Sequence, residues 1–242
     1  MTEALRPERE DDVVEAVLAA RLSGTKLDIV GGDAMAGLGR PRAAARRLTS
    51  AAMSGIVFYA PAEMTLSARA GTTVAAIEAA IAEHGQMLPF EPMRPQALWG
   101  STAEPTLGGM VATNLSGPRR PSAGAVRDGV LGLKLVNGLG HPIRCGGRVM
   151  KNVTGLDLTK LNCGAHGTLG VLTEATIKLA PRPEAETTLA VVVRLLSNKS
   201  RGGRSSRLRR RWPRPGRPHS GPCRADRVDG PAIHDPPSCL PA

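Results

Sequence analysis

Thr106-Leu-Gly-Gly-Met-Val-Ala-Thr-Asn-Leu-Ser-Gly-Pro118 sets glycines beside small hydroxyl and amide side chains. Gly164-Ala-His-Gly-Thr-Leu-Gly-Val171 repeats this composition further along the chain. Glycine has no Cβ, so it lets the backbone approach a ligand closely and adopt positive φ angles. Consecutive free N–H groups in such loops form concave anion-binding sites. The two segments therefore predict a chain that wraps a large, flat cofactor carrying phosphate groups.

A third glycine-rich segment, Gly31-Gly-Asp-Ala-Met-Ala-Gly-Leu-Gly39, follows the apolar residues 27–30, which predict a short strand. A phosphate-binding loop is expected at the end of a strand. However, the glycine spacing fits neither the dinucleotide motif G-x-G-x-x-G nor the Walker A motif. From its residues alone, the segment is either a tight turn or a loop that holds phosphate through backbone N–H groups.

Seven segments of the chain occur in an order that is typical of one known family. They are Gly31-Gly32 through Gly39-Arg40-Pro41, Gly85-Gln-Met-Leu-Pro-Phe-Glu-Pro92, Leu107-Gly-Gly-Met-Val-Ala112, Gly117-Pro-Arg-Arg-Pro121, Val126-Arg-Asp-Gly-Val-Leu-Gly132, Gly147-Arg-Val-Met-Lys-Asn-Val-Thr-Gly155 and Gly167-Thr-Leu-Gly-Val171. In this order they resemble the FAD-binding domain family of the vanillyl-alcohol-oxidase / p-cresol-methylhydroxylase (PCMH) type, over roughly residues 5–195. Residues 85–92, 117–121 and 149–155 are most similar to the FAD-binding subunits of bacterial glycolate oxidases (glycolate dehydrogenases).

The resemblance implies a two-lobed, PCMH-type α+β domain with the flavin in the groove between the lobes. Local patterns agree with a mixture of helices and strands. Predicted helices cover residues 11–21, residues up to about 84 after a cap at Thr72 or Thr73, and residues 158–163 after a cap at Asp157. Predicted strands cover residues 27–30, 65–70, 130–136, 141–145 and 172–179, with a hairpin turn at Asn137-Gly138.

By resemblance the cofactor is FAD, and we expect it to be bound non-covalently. Residues 31–41 contain no histidine or cysteine, and Cys145 and Cys163 do not match a flavin attachment position. Asp33 stands where relatives usually have Asn or Ser-type residues, and a carboxylate beside a diphosphate repels it. Asp33 is thus expected either to turn away or to weaken binding. The expected FAD contacts are Gly31, Gly32, Asp33, Ala34, Gly37, Gly39, Pro89, Thr106, Gly108, Gly109, Thr113, Asn114, Ser116, Gly117, Gly167, Thr168, Gly170 and Val171.

Two interpretations apply to the side chains of Thr113, Asn114 and Ser116. The preferred one is hydrogen bonding to flavin N and O atoms, which adjusts the flavin potential. The alternative is helix capping and loop closure, which Asn and Ser commonly provide. No catalytic residue is evident, and the histidines at 84, 141 and 166 are interpreted as helix-end, turn and loop residues. No metal or Fe–S ligand set is predicted.

The resemblance implies a partnership with a flavin-bearing catalytic subunit and an Fe–S subunit. Such a complex oxidises glycolate, a small 2-hydroxyacid, to glyoxylate and passes electrons to a membrane acceptor. Because no general base is evident in this chain, the glycolate chemistry is expected on the partner. Two other classes stay open: a fragment of a standalone FAD-dependent D-2-hydroxyacid dehydrogenase, and a non-catalytic binding module with a basic tail.

The composition changes at about residue 196. Residues 197–242 contain 10 Arg, 8 Pro, 6 Ser and 5 Gly, and carry a net charge of +8 out of the chain's +11. A segment so poor in aliphatic residues cannot offset the entropy of ordering, so it is predicted to be disordered. We interpret residues 1–196 as the FAD-binding domain. Residues 197–242 are interpreted as a frameshifted or truncated tail in place of a cap domain, with nucleic-acid binding disfavoured.

The N-terminal residues 1–12 are acidic and lack an apolar core, which is unlike a signal peptide. The four cysteines show no metal-binding spacing, which favours a reducing compartment. We therefore expect a cytoplasmic location, with peripheral attachment to the inner membrane through the complex.

Overall fold

A computed structural model describes residues 4–35, 37–38, 46–95, 100–148 and 155–187. All of them belong to the unit Met1–Thr187. The predictions for the cap domain and for a disordered segment 197–242 lie outside the described residues, as does the predicted contact at Gly39.

The strands form three sheets. A parallel pair joins β1 (Leu27–Val30) to β2 (Arg46–Thr49). The main sheet is antiparallel and has the order β3-β4-β8-β6-β7, where the strands are β3 (Ile56–Ala60), β4 (Thr65–Arg69), β6 (Val130–Asn137), β7 (Pro142–Gly146) and β8 (Gly170–Lys178). A short antiparallel pair joins β5 (Gln86–Met87) to β9 (Ala180–Pro181).

The helices are short, apart from the first. They are α1 (Glu10–Leu22), α2 (Val74–Ala82), α3 (Leu107–Thr113), α4 (Arg120–Ala123), α5 (Val126–Gly129) and α6 (Leu158–Asn162). Thr73 caps α2 by accepting a hydrogen bond from the backbone N–H of Ala76, and Asp157 caps α6 by accepting one from Lys160. Both caps were predicted from the sequence.

The buried side chains of the described residues form two hydrophobic clusters. The larger cluster packs α2 and α3 against the main sheet, with Ile77, Leu107 and Leu135 fully or nearly buried. The smaller cluster packs α1 and the β1-β2 pair, and it includes Val136. Successive residues of a strand point to opposite faces, so Leu135 and Val136 of β6 enter different clusters. The mixed α+β fold predicted from the sequence is confirmed.

The sequence prediction was wrong for the central glycine segment, which was treated as a loop. Residues Leu107–Thr113 form α3, and the Thr106 side chain caps it by accepting a hydrogen bond from the backbone N–H of Gly109 at 3.2 Å. Leu107, Met110 and Val111 are buried along one face. This spacing is helical, but the adjacent glycines concealed it because glycine lowers helix propensity.

Two further details differ from the prediction. The alternation of Leu66, Ala68 and Ala70 predicts a half-buried strand β4, yet the Ser67 side chain on its other face is also buried and hydrogen-bonds the buried Thr176 of β8 at 2.8 Å. In the β6-β7 hairpin the residue with positive φ is Gly140, not Asn137 or Gly138. The Asn137 side chain shapes this turn by accepting hydrogen bonds from two backbone N–H groups.

Candidate functional site

A cleft of about 880 Å³, open solvent included, lies where three glycine-rich segments meet. One wall is the segment that follows β1, the second is the start of α3, and the third is the stretch leading into β8. Eleven of the residues predicted to contact FAD line it: Gly31, Gly32, Asp33, Ala34, Thr106, Gly108, Gly109, Thr113, Gly167, Gly170 and Val171. Segments far apart in the sequence are thus brought to one site.

The structure does not bring the other predicted residues into this cleft. Pro89, Ser116 and Gly117 line a second cleft of about 1650 Å³, open solvent included. Gly37, Asn114 and Thr168 line neither. Ser116 and Gly117 follow shortly after α3 in the chain. The predicted FAD contacts are therefore divided between two clefts.

Apolar side chains that the sequence analysis did not single out complete the first cleft. They are Ile29, Val30, Met35, Leu38, Met110 and Leu172, together with the small residues Ser50, Pro105 and Ala112. A mostly apolar cleft with a few polar groups is typical of small-molecule and cofactor sites. Met35, Leu38 and Met110 lie within the quoted glycine segments, but their contact with the cleft depends on the tertiary fold.

The glycines at the cleft have a packing role within the chain itself. A Cβ on Gly32 would lie 2.3 Å from the carbonyl oxygen of Glu104, and one on Gly31 would lie 2.4 Å from Oγ1 of Thr106. A Cβ on Gly108 would lie 2.7 Å from that of Ala70. The end of β1 and the start of α3 therefore approach each other at a distance that only glycine permits.

The segment after β1 carries the groups that a diphosphate needs. Among the described residues, no acceptor takes a hydrogen bond from the backbone N–H groups of residues 32–35. Asp33 has a left-handed φ of 62°. Successive backbone N–H groups in turn conformations can form a concave anion-binding site. The residues present thus fit the phosphate-bearing part of FAD.

The Asp33 carboxylate is paired within the chain. Its Oδ2 lies 2.8 Å from Nη1 of Arg47 on β2, and Nε of the same arginine lies 3.6 Å from Oδ2 of Asp28 on β1. The sequence analysis missed Arg47 because the pair joins residues on different elements. This ion pair is relevant to the sequence-based expectation for Asp33, which is that its carboxylate either turns away from the diphosphate of FAD or weakens FAD binding.

The side chains of Thr113, Asn114 and Ser116 make hydrogen bonds within the chain. The Thr113 hydroxyl donates to the carbonyl of Gly109 at 2.9 Å. Asn114 Oδ1 accepts from the backbone N–H of Arg127, and Ser116 Oγ accepts from that of Val126. Asn114 also ends α3 with a φ of 51°. These bonds match the capping and loop-closure alternative, while flavin contact by these side chains stays a prediction.

The three histidines of the described region occupy the places predicted for them. His84 follows α2, with its ring edge-on to Tyr59 at 5.4 Å between centroids. His141 lies in the β6-β7 turn, where its N–H donates to Asn137. His166 lines the first cleft with a left-handed φ of 52°, and its backbone N–H donates to the carbonyl of Ala112.

Neither described cysteine lines the first cleft. Cys163 is 8% exposed, and its burial raises the pKa of the thiol to about 11. Burial also raises the pKa of the Cys145 thiol. A thiol becomes a nucleophile only as the thiolate, so both stay unreactive near neutral pH. This environment agrees with a flavin that is not attached through either sulfur.

The Cys163 pKa predicts a loss of stability at alkaline pH. The unfolded thiol loses its proton near the ordinary value of 9.0, whereas the folded one keeps it to about 11. The contribution is therefore complete below about pH 9 and is lost as pH rises, by about 2 kcal/mol between about pH 8 and about pH 10.5. Urea unfolding at these pH values should show the loss. In Cys163→Ala the free energy of unfolding should fall less over this pH range, by that amount. An equal fall in the variant and the wild type would contradict this assignment.

The described residues contain neither a cluster of metal ligands nor a membrane-spanning helix. No group of three or more His, Cys, Asp or Glu side chains there is placed to hold a metal ion. In the same part of the chain, no helix combines the length and the apolar character that crossing a bilayer requires.

Comparisons with known proteins were made for sequence and for structure. The sequence model of the family described as "FAD binding domain" matches residues 3–146. Glycolate oxidase subunit GlcE of Escherichia coli K12 is 47% identical over 177 residues, which cover 73% of this chain and 49% of GlcE. Glycolate oxidase subunit GlcD of Bacillus subtilis is 48% identical over 84 residues, which cover 35% of this chain and 18% of GlcD.

Two further similarities, one in sequence and one in structure, have lower identities. A D-lactate dehydrogenase of Archaeoglobus fulgidus is 38% identical over 122 residues, which cover 50% of this chain and 26% of that enzyme. The solved structure of an alkyldihydroxyacetonephosphate synthase superposes with a TM-score of 0.58 at 23% identity, over 74% of this chain and 32% of that one. This chain spans about half the length of GlcE and smaller shares of the other relatives.

Proposed function

Because this chain belongs to the FAD-binding domain family, we propose that it is the FAD-binding subunit of a glycolate oxidase complex. The family membership and the choice of FAD as cofactor, both predicted from the sequence, are confirmed. The observation that carries the subunit proposal is the 47% identity to GlcE over 177 residues.

The first cleft is the site proposed for FAD, held without a covalent bond. The backbone N–H groups of residues 32–35 donate to the diphosphate, and apolar side chains such as Met35 and Met110 shield the rest of the cofactor from water. When bound, FAD supplies the centre that accepts electrons from a reduced donor. The chain's own contribution is to hold, orient and partly desolvate the cofactor.

We assign the oxidation of glycolate to a partner subunit. In the part of the chain that the structure describes, the first cleft holds one titratable side chain besides Asp33, the exposed His166. The partners proposed are a flavin-bearing catalytic subunit and an Fe–S subunit. The similarity of this chain to GlcD of Bacillus subtilis, a glycolate oxidase subunit, supports the first of these partners. The complex is proposed to act in the cytoplasm or at the cytoplasmic face of the inner membrane.

Glycolate-dependent reduction of an artificial electron acceptor tests the assignment of glycolate oxidation to a partner subunit. The isolated chain, loaded with FAD, should give no reduction above a flavin-only background. Adding the catalytic and Fe–S subunits from the same source should restore reduction and should retain the chain on a column that carries a tagged partner. Substantial glycolate oxidation by the isolated chain would contradict the assignment.

The similarity to D-lactate dehydrogenase supports a second candidate, a domain of a standalone FAD-dependent D-2-hydroxyacid dehydrogenase. Turnover of D-lactate by the chain without partners would favour it. The third class, a binding module with a basic tail, rests on residues 197–242, which lie outside the described region. Salt-sensitive retention on DNA that disappears when those residues are deleted would favour that module.

A further inference from the structure

We propose that Arg47 is a positioning residue that pairs with Asp33 and offsets its charge, so that a segment carrying a carboxylate can still bind the diphosphate of FAD. The inference rests on the proposed FAD site and adds a residue that the glycine segments do not include. Asp33 lines the first cleft between Gly32 and Ala34, and its neighbours supply the free N–H groups.

The position of Arg47 is set by the β1-β2 pair. Arg47 stands directly opposite Asp28 in the parallel register, and its Nε lies 3.6 Å from the Asp28 carboxylate. From there its Nη1 reaches Asp33 Oδ2 at 2.8 Å, which is a charge-assisted hydrogen bond. The strand pairing thus holds the guanidinium between two carboxylates, one on β1 and one in the segment that follows it.

The charge of Asp33 is the reason that this contact matters for a phosphate ligand. An unpaired carboxylate in a segment that donates N–H groups to a diphosphate repels the same anion that the N–H groups attract. Pairing with Arg47 draws the carboxylate toward β2 and offsets part of its charge, because the same guanidinium also faces Asp28. The arginine is therefore inferred to act through Asp33 and not as a direct phosphate ligand.

The solvent exposure of the Arg47 and Asp33 side chains distinguishes a role in FAD binding from a role in protein stability. The Arg47 side chain is 46% exposed and that of Asp33 is 36% exposed. Exposed ion pairs add little to the free energy of unfolding. Breaking this pair is therefore expected to leave the unfolding temperature nearly unchanged while it weakens FAD binding.

Five proteins test the inference through FAD affinity, measured by flavin fluorescence titration: the wild type, Arg47→Gln, Arg47→Lys, Asp33→Asn and the Arg47→Gln/Asp33→Asn double variant. Arg47→Gln should weaken FAD binding about tenfold or more, because the carboxylate is then unpaired. Asp33→Asn should bind FAD at least as well as the wild type. In the Asp33→Asn background, the arginine substitution should change affinity by no more than about threefold, since its target is gone. Arg47→Lys should recover part of the lost affinity.

The outcomes separate the inference from the proposed function. Wild-type protein that binds no FAD overturns both. If the wild type binds FAD but Arg47→Gln weakens it by the same factor with and without Asp33, the arginine acts independently and the inference is wrong. A large loss of affinity in Asp33→Asn also overturns it. Circular dichroism and thermal unfolding of each variant identify any loss of folding, and recovery in the double variant excludes that explanation.

Discussion

Gly32→Ala is expected to weaken FAD binding more than tenfold and to lower the free energy of unfolding by about 3 kcal/mol, the upper end for overpacking. The added Cβ would lie 2.3 Å from the carbonyl oxygen of Glu104, a backbone atom that cannot move aside as the end of a flexible side chain can. The segment after β1 would have to shift away from the start of α3, and the cleft lies between these two. Urea unfolding and FAD titration measure the two effects.

The matched control for this substitution is Gly138→Ala. Gly138 has no atom within 4 Å of an added Cβ, and its φ is not positive. This variant should unfold and bind FAD like the wild type. Wild-type behaviour in Gly32→Ala as well would show that the close approach between β1 and α3 is not required for the site.

Leu107→Ala is expected to lower the free energy of unfolding by about 2–5 kcal/mol, as large-to-small substitutions in protein cores do. The Leu107 side chain is fully buried in the larger cluster at the start of α3. The cavity left behind would loosen the helix that forms one wall of the cleft. FAD affinity is therefore expected to fall with stability, because the cofactor binds only the ordered wall.

Leu161→Ala is the control for the loss of a leucine side chain from a helix. Leu161 lies in α6 and is 52% exposed, so its truncation should change the free energy of unfolding by no more than about 0.5 kcal/mol. Equal losses in the Leu107 and Leu161 variants would contradict the packing described for α3. Chemical denaturation of both proteins under the same conditions makes the comparison.

Local signals in the sequence were sufficient for much of the fold. Strand β1 and helix α1 were predicted to within about one residue of the observed ends, because apolar periodicity and charge mark them. The caps at Thr73 and Asp157 were also predicted, since a cap depends on residues within one turn. The long hairpin of β6 and β7 was found as well, although its turn conformation was not.

The remaining features depend on contacts between distant parts of the chain. Helix α3 was missed because Gly108 and Gly109 were attributed to ligand contact alone; they line the first cleft, and Gly108 also packs on Ala70. Ser67 is buried and its hydroxyl bonds that of Thr176 on β8, a contact between distant segments that no local pattern reveals.

The candidate site, like the fold, has features that the sequence predicts and features that depend on contacts between distant residues. Its seven segments were recognised from their order along the chain, and the structure brings three of them to one cleft. The pairing of Asp33 with Arg47 depends on the β1-β2 register and on the path of the segment between them. The apolar lining by Met35 and Met110 depends likewise on tertiary packing, so the sequence could not identify it.

Binding of FAD by the purified chain tests the central claim most directly. The protein is incubated with excess FAD and freed of unbound cofactor by gel filtration, and its visible absorption spectrum is recorded. The account predicts a flavin spectrum that co-elutes with the folded protein in near-equimolar amount, and acid precipitation should release all of the flavin into the supernatant. A folded, colourless protein that retains no FAD would contradict the account, and flavin that stays with the acid precipitate would contradict non-covalent binding.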